Sequence, residues 1–213
     1  MLQLDIDFRL HFNNAVSLFV NDFAVKWAAG IIAAARLSRK SDVVELLHEY
    51  DSVQHSAEAA ELGSRDHMYA ILAMLQLLPS CNTRQKAKLS SAELQSHLIT
   101  FKPTQTSIEL FLTEKNSLHK QPLLLCLGSK DDPGTFYLIL DVKAVSLGEC
   151  GVVRAVDVLF KSHFIFWVDY AKSLAYFMEF LQKLVYKIEP SKVSARVREL
   201  NSSVRALLKT SDA

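Results

Sequence analysis

Residues 152–188 read VVRAVDVLFKSHFIFWVDYAKSLAYFMEFLQKLVYKI, and the spacing of their apolar side chains decides the fold class. Val152, Val153, Val156, Leu159 and Phe160 fit one face of a short helix. Phe164-Ile165-Phe166-Trp167-Val168 is aromatic and β-branched on both faces, which predicts a buried central strand. Leu174, Phe177, Met178, Leu181, Leu184, Val185 and Ile188 then form a helical stripe, widened by Tyr176 and Phe180 beyond what one contact surface requires. Helix, strand and long core helix make this an α+β chain. The stretch locates a core and carries no chemical motif.

Upstream, two apolar runs, Leu123–Leu127 and Phe136–Val142, flank the turn formers Gly128-Ser129-Lys130-Asp131-Asp132-Pro133-Gly134, the pattern of an antiparallel hairpin. Residues 144–147 can add a third strand. Ser90 with Glu93, and Thr106 with Glu109, match capping boxes and predict helices over 91–101 and 107–116. The first half is helical throughout. Phe12, Val16, Phe19, Val20, Phe23 and Trp27 share a face, with Gly30 as an interruption; a helix over 42–50 and another from Met68 to Leu78 follow. Periodicity lapses over 51–63, a weak helix or linker. The basic segment 81–88 has no apolar face and reads as an exposed loop. Three stretches result: a helical region, 1–117; a strand-rich α+β region, 118–190; and a terminal amphipathic helix, 191–213. They are expected to form one unit, a helical half packed on a small antiparallel or mixed sheet.

Composition limits the function classes. The chain is half hydrophobic and 22% charged, with 24 basic and 23 acidic residues giving a net charge of +1. No global field favours a polyanion or an anionic membrane. Cys81, Cys126 and Cys150 are odd in number and widely spaced, which fits free thiols in a reducing compartment. Met1-Leu2-Gln3-Leu4-Asp5 has neither the basic nor the apolar part of a secretory signal, and no uncharged apolar run approaches the roughly 18 residues of a membrane helix. An intracellular location, cytoplasmic or nuclear, is the expectation.

The run from Ala155 to Phe166, with Tyr170, Phe177, Phe180, Leu181, Gln182 and Tyr186-Lys187-Ile188, resembles the C-terminal region of a group of uncharacterised animal proteins abundant in fish. Many of these carry a sterile alpha motif domain upstream and look derived from mobile elements. Leu4-Asp5-Ile6-Asp7-Phe8, Phe12, Trp27, Leu77-Leu78-Pro79 and Gln121-Pro122-Leu123-Leu124-Leu125 are similar to that group too. The resemblance implies a shared fold and protein contact. It supplies no enzyme activity, and the upstream domain is not expected within this chain.

Candidate sites follow from the residues themselves. Val193, Val197, Leu200, Val204 and Leu207 keep the alternating four and three spacing with which two helices bury a seam, so they are the interaction residues expected for a partner or a second copy. Docking of that helix on its own domain is the competing reading. Residues 187–209 hold six basic and two acidic side chains. Arg196, Arg198 and Arg205, with Arg84, Lys86 and Lys88, are therefore candidate phosphate contacts, although no aromatic is interleaved for base stacking. His163 lies six residues from both Asp157 and Asp169, a conceivable acid–base set. Against it stands a helix-end histidine satisfied by the backbone, beside two surface carboxylates. Cys126, Cys150 and His163 lack the spacing of a metal site, and the glycines form no phosphate loop. No catalytic residue, cofactor or metal is assigned. The expected function is a non-enzymatic protein-protein interaction or self-assembly module, possible as a homodimer; the alternative is a nucleic-acid-associated factor of mobile-element origin.

Overall fold

The computed structural model describes residues 3–12, 18–52, 63–78, 89–115, 121–189 and 192–211. The basic loop at 81–88 and most of the weak segment at 51–63 lie outside them. The fold is α+β. Four strands, β1 (Ile99–Lys102), β2 (Leu123–Leu127), β3 (Thr135–Leu140) and β4 (Lys143–Ser146), stand side by side in sequence order. β1 runs parallel to β2, and the two remaining pairs are antiparallel. The mixed sheet owes its parallel pair to α7 (Ile108–Lys115), which carries the chain from β1 back to the start of β2.

Side-chain alternation sorts the sheet into two faces. Leu124, Cys126, Phe136 and Leu138 point into the main core. Leu123, Leu125, Leu127 and Ile139 join Phe111 of α7 in a smaller cluster on the opposite face. That is why all five residues of β2 are buried. The hairpin closes through backbone contact at its base: a Cβ on Gly134 would sit 2.2 Å from the Leu127 carbonyl oxygen, and one on Gly128 would sit 2.5 Å from the Gly134 nitrogen. Only glycine fits either position.

Helices fill the other side. α5 (Ser64–Leu77) is the centre, buried without a gap from Met68 to Leu75, as a helix must be when neighbours cover it all round. Around it pack α3 (Ala28–Arg36), α4 (Ser41–Ser52), α6 (Ser91–Leu98) and α8 (Val152–Ile165). α1 (Gln3–Phe12) and α2 (Leu18–Asp22) lie on α8, and a π-helical turn at Phe23–Trp27 joins α2 to α3. Gly30 does not interrupt α3. The hairpin turn is tied to this layer by Arg65, which donates to Asp131 at 2.7 Å and to the Tyr50 carbonyl at 2.8 Å, and by an ion pair between Lys130 and Glu49. The main core takes side chains from Phe8 to Val204, so the three stretches share one interior.

Several local expectations change. The stretch 164–168 is not a central strand: α8 continues to Ile165, and Phe166 and Trp167 stand outside at 49% and 87% exposure. Asp157, Lys161 and Phe164 extend the helical repeat begun by Val153. The predicted helix over 91–101 stops at Leu98, where the chain turns into β1. Ser90 and Glu93 do form the capping box, with Ser90 Oγ accepting from the Glu93 N–H and Glu93 accepting from the Ser90 N–H. At α7 the cap is Ser107, not Thr106, since Ser107 Oγ accepts from the Leu110 N–H at 3.3 Å. The core helix over 174–188 is segmented into a 3-10 turn (Lys172–Leu174), α9 (Ala175–Phe180) and a π-helical turn (Leu181–Val185). Its broad buried face is retained.

Candidate functional site

α8 carries most of the buried polar and charged side chains among the described residues. Its inward face carries charges where an apolar stripe would be expected. Asp157, Lys161 and Ser162 are fully buried, and His163 is 3% exposed. Lys161 Nζ donates to Asp157 at 2.7 Å and to Asp5 of α1 at 2.8 Å. Arg154 bridges the same two carboxylates, and the Tyr186 hydroxyl donates to the second oxygen of Asp157. Two cations therefore face two anions, and the hydrogen bonds leave the buried ammonium and carboxylates paired. Burial alone would push the Asp5 carboxyl up; hydrogen bonds from Arg154 and Lys161, with their charges, outweigh it and bring it down to about 2. Burial, the Asp157 charge and the hydrogen bond to it hold the Tyr186 phenol protonated well above its ordinary value. Each group is committed to another of the set. This is a clasp between α1, α8 and the end of the core helix, so Asp157 is neither free for an acid–base set nor the surface carboxylate of the competing reading.

An aromatic cluster surrounds the clasp. Tyr186 stacks on Phe160 with centroids 4.2 Å apart and planes 9° apart, while Phe8 meets Phe160, Phe164 and Tyr186 edge-on. The C-terminus of α8 then turns sharply. The Val168 N–H donates to the His163 carbonyl and the Trp167 N–H to the Phe164 carbonyl, the paired bonds of a Schellman motif. The motif's left-handed position, usually glycine, is held by Trp167 with φ +52°. The imidazole adds a further clamp, with Nδ1 3.1 Å from the Val168 carbonyl oxygen. A carbonyl only accepts, so Nδ1 carries the proton and the neutral ring keeps a bare lone pair on Nε2. That Nε2 has no hydrogen-bond partner among the described residues. Burial lowers the imidazole pKa, outweighing the bond to Val168.

His163 lines a cleft of about 330 Å3 between the end of α1 and this corner, with Phe12, Trp167, Asp169, Tyr170 and Gln182 around it. Of the proposed acid–base set, His163 and exposed Asp169 share the cleft. Asp157 is held in the clasp.

The remaining candidates are placed as follows. α10 (Ala195–Ser211) docks on α3 and α9 of its own chain. Val197 and Val204 are fully buried and Leu200 nearly so, with Val193 and Leu207 packed against the same core. The face expected to form a seam with a partner is thus occupied internally, because Gly30 lets the two helices approach closely. Arg84, Lys86 and Lys88 lie outside the described residues. Arg196 pairs with Glu199 at 3.5 Å, Arg198 donates to the Val193 carbonyl at 2.9 Å, and Arg205 is exposed. Burial raises the Cys126 thiol to about 11 and raises Cys150 as well, which keeps both protonated. Cys126, Cys150 and His163 do not converge; among the described residues no group of three or more His, Cys, Asp or Glu side chains is placed to hold a metal.

Sequence periodicity missed Asp5, Arg154, Lys161 and Tyr186. A signal existed: Arg154, Asp157 and Lys161 recur at helical spacing inside an otherwise apolar helix. Among the described residues no helix is long and apolar enough to cross a membrane. No family model, curated protein or solved structure matches this chain.

Proposed function

We infer that this chain is a non-enzymatic protein-contact module, and that the contact is made by the Phe166–Trp167 corner rather than by the terminal helix. The observation carrying this reading is the display of Trp167. Its side chain is 87% exposed on a backbone position that disfavours every residue but glycine, and the turn is fixed by three hydrogen bonds. A solvent-facing tryptophan on a hydrogen-bonded turn offers a large apolar area with a polar N–H, the properties of an interface anchor. The resemblance of 155–166 to the animal proteins with an upstream sterile alpha motif belongs to the same proposal, since it implies protein contact and supplies no enzyme activity.

The test is light scattering across protein concentration, paired with photocrosslinking from a photoreactive phenylalanine in place of Phe166. Concentration-dependent mass, or polypeptide adducts from position 166 that are missing from exposed position Val142, supports the reading. Monomer at every concentration together with no polypeptide adduct overturns it. The nucleic-acid alternative rests on Arg84, Lys86 and Lys88, which lie outside the described residues, and on the terminal arginines, two of which make contacts within the chain. A salt titration against generic DNA and RNA addresses it, because phosphate contacts make affinity fall steeply with salt.

A further inference from the structure

We propose that the cleft floored by His163 is a binding site for a small, planar, uncharged ligand carrying one N–H or O–H donor, such as an indole or a phenol. This goes beyond protein contact and does not depend on it.

Hydrogen bonding at the cleft floor is incomplete. Because the Nδ1–H of His163 is spent on the Val168 carbonyl, the ring presents Nε2 as an acceptor, and this atom is buried without a partner among the described residues. An unpaired buried acceptor is unfavourable until something donates to it. The tautomer fixes the complement: a ligand must bring a hydrogen, so a carboxylate or ether oxygen cannot serve.

The walls define the rest of the ligand. Phe12 and Phe164 meet edge-on at 5.1 Å, Tyr170 stands edge-on to His163 at 5.0 Å, and Trp167 forms part of the rim. Aromatic walls at these angles favour a flat ring. The volume, about 330 Å3, lies at the small end of ligand sites and suits one or two fused rings. Asp169 and His11 both share the lining, so no cluster of one charge sign marks the cleft for an ion. Tyr170, which lines the cleft beside His163, is held to Gln182 by a long 3.4 Å bond.

The full chain titrated with indole and with 1-methylindole tests the site without any mutation, since the two probes differ at the ring nitrogen alone, where a methyl group replaces the donated hydrogen. Indole is expected to bind about tenfold more tightly, the order of one hydrogen bond to a buried acceptor. In a long-range proton–nitrogen NMR spectrum, indole should move the Nε2 signal of His163, whereas 1-methylindole should not. His163→Asn supplies a second arm. Its side-chain amide can still donate to the Val168 carbonyl while Nε2 is removed, and the preference for indole is expected to vanish. N-acetyl-tryptophanamide distinguishes sources of the same chemistry: binding equal to or tighter than indole assigns the site to a side chain of a polypeptide, and binding of free indole alone assigns it to a small molecule. Equal binding of indole and 1-methylindole, no binding of either, or an unmoved Nε2 signal overturns the proposal.

Discussion

Gly30 of α3 faces Val204 of α10 so closely that a Cβ on residue 30 would lie 2.7 Å from Cγ1 of Val204 and 3.0 Å from Cγ of Leu208. Val204 is fully buried and stiff at χ1, so it cannot swing aside. In a solvent-exposed helix Gly→Ala would stabilise by about 1 kcal/mol. Here Gly30→Ala is expected to destabilise by roughly 1–3 kcal/mol through overpacking. In a double-mutant cycle by urea unfolding, Val204→Ala should recover part of that loss. Additive losses would mean the helices are not in contact.

Removing α10 is a related prediction with a different readout. A chain ending at Pro190 uncovers the side of α3 against which Val197 and Val204 pack. It should bind a hydrophobic dye and aggregate on warming. A helix free to pair with a partner would instead leave a well-behaved shorter monomer, so dye binding and light scattering on that chain separate the two arrangements.

The clasp predicts an asymmetry between breaking and replacing charges. Asp5→Ala leaves fully buried Lys161 with one carboxylate shared with Arg154, and is expected to destabilise by about 3–5 kcal/mol. Replacing Asp5 and Lys161 together by Leu and Met should cost less than Asp5→Ala alone. The pH dependence has a definite sign. Asp5 is drawn to about 2 in the folded chain against an ordinary 3.8, so its contribution is fully present above 3.8 and is lost as pH falls toward 2. Asp5→Asn should flatten that part of an acid unfolding profile.

His163 acts in a higher pH window. Burial depresses its pKa from the ordinary 6.5, and depresses His67 in the same direction. Between each lowered value and 6.5 the unfolded chain binds more protons, so stability is full above 6.5 and declines as pH falls below it. His163→Asn should reduce this slope, with the remainder due to His67. Urea midpoints on the two sides of 6.5 measure both.

Trp167→Gly should separate display from folding. The indole is solvent-facing and the backbone is left-handed, so glycine relieves strain while removing little buried surface; stability should stay within about 1 kcal/mol or rise. If the corner is the contact surface, the same variant should abolish association. A large fall in thermal midpoint would show that the indole packs more than its exposure indicates.

How much of this was legible depended on whether the deciding partner was near in sequence. The hairpin, the Ser90 capping box and the α+β class rest on neighbours a few residues apart, and sequence reading reaches them. The run 164–168 did not resolve, because an unbroken apolar stretch fits a buried strand or a buried helix equally well. The helical repeat of α8 runs on through Ile165, and β1 was hidden behind the helical spacing of α6. The stripe on α10 is the same for an internal dock and an external seam; Gly30, some 170 residues away, makes the difference. The cleft was legible only as the histidine. Its orphan nitrogen depends on a turn that periodicity does not encode.

The ammonium of Lys161 and the carboxylate of Asp5 are separated by 156 positions along the chain. The strand-rich half therefore cannot finish neutralising its own interior, and must wait for the first helix to arrive from the opposite end. Trimming a dozen residues from the N-terminal side would accordingly be felt on α8 as a stranded cation, far from the cut in sequence and adjacent to it in space.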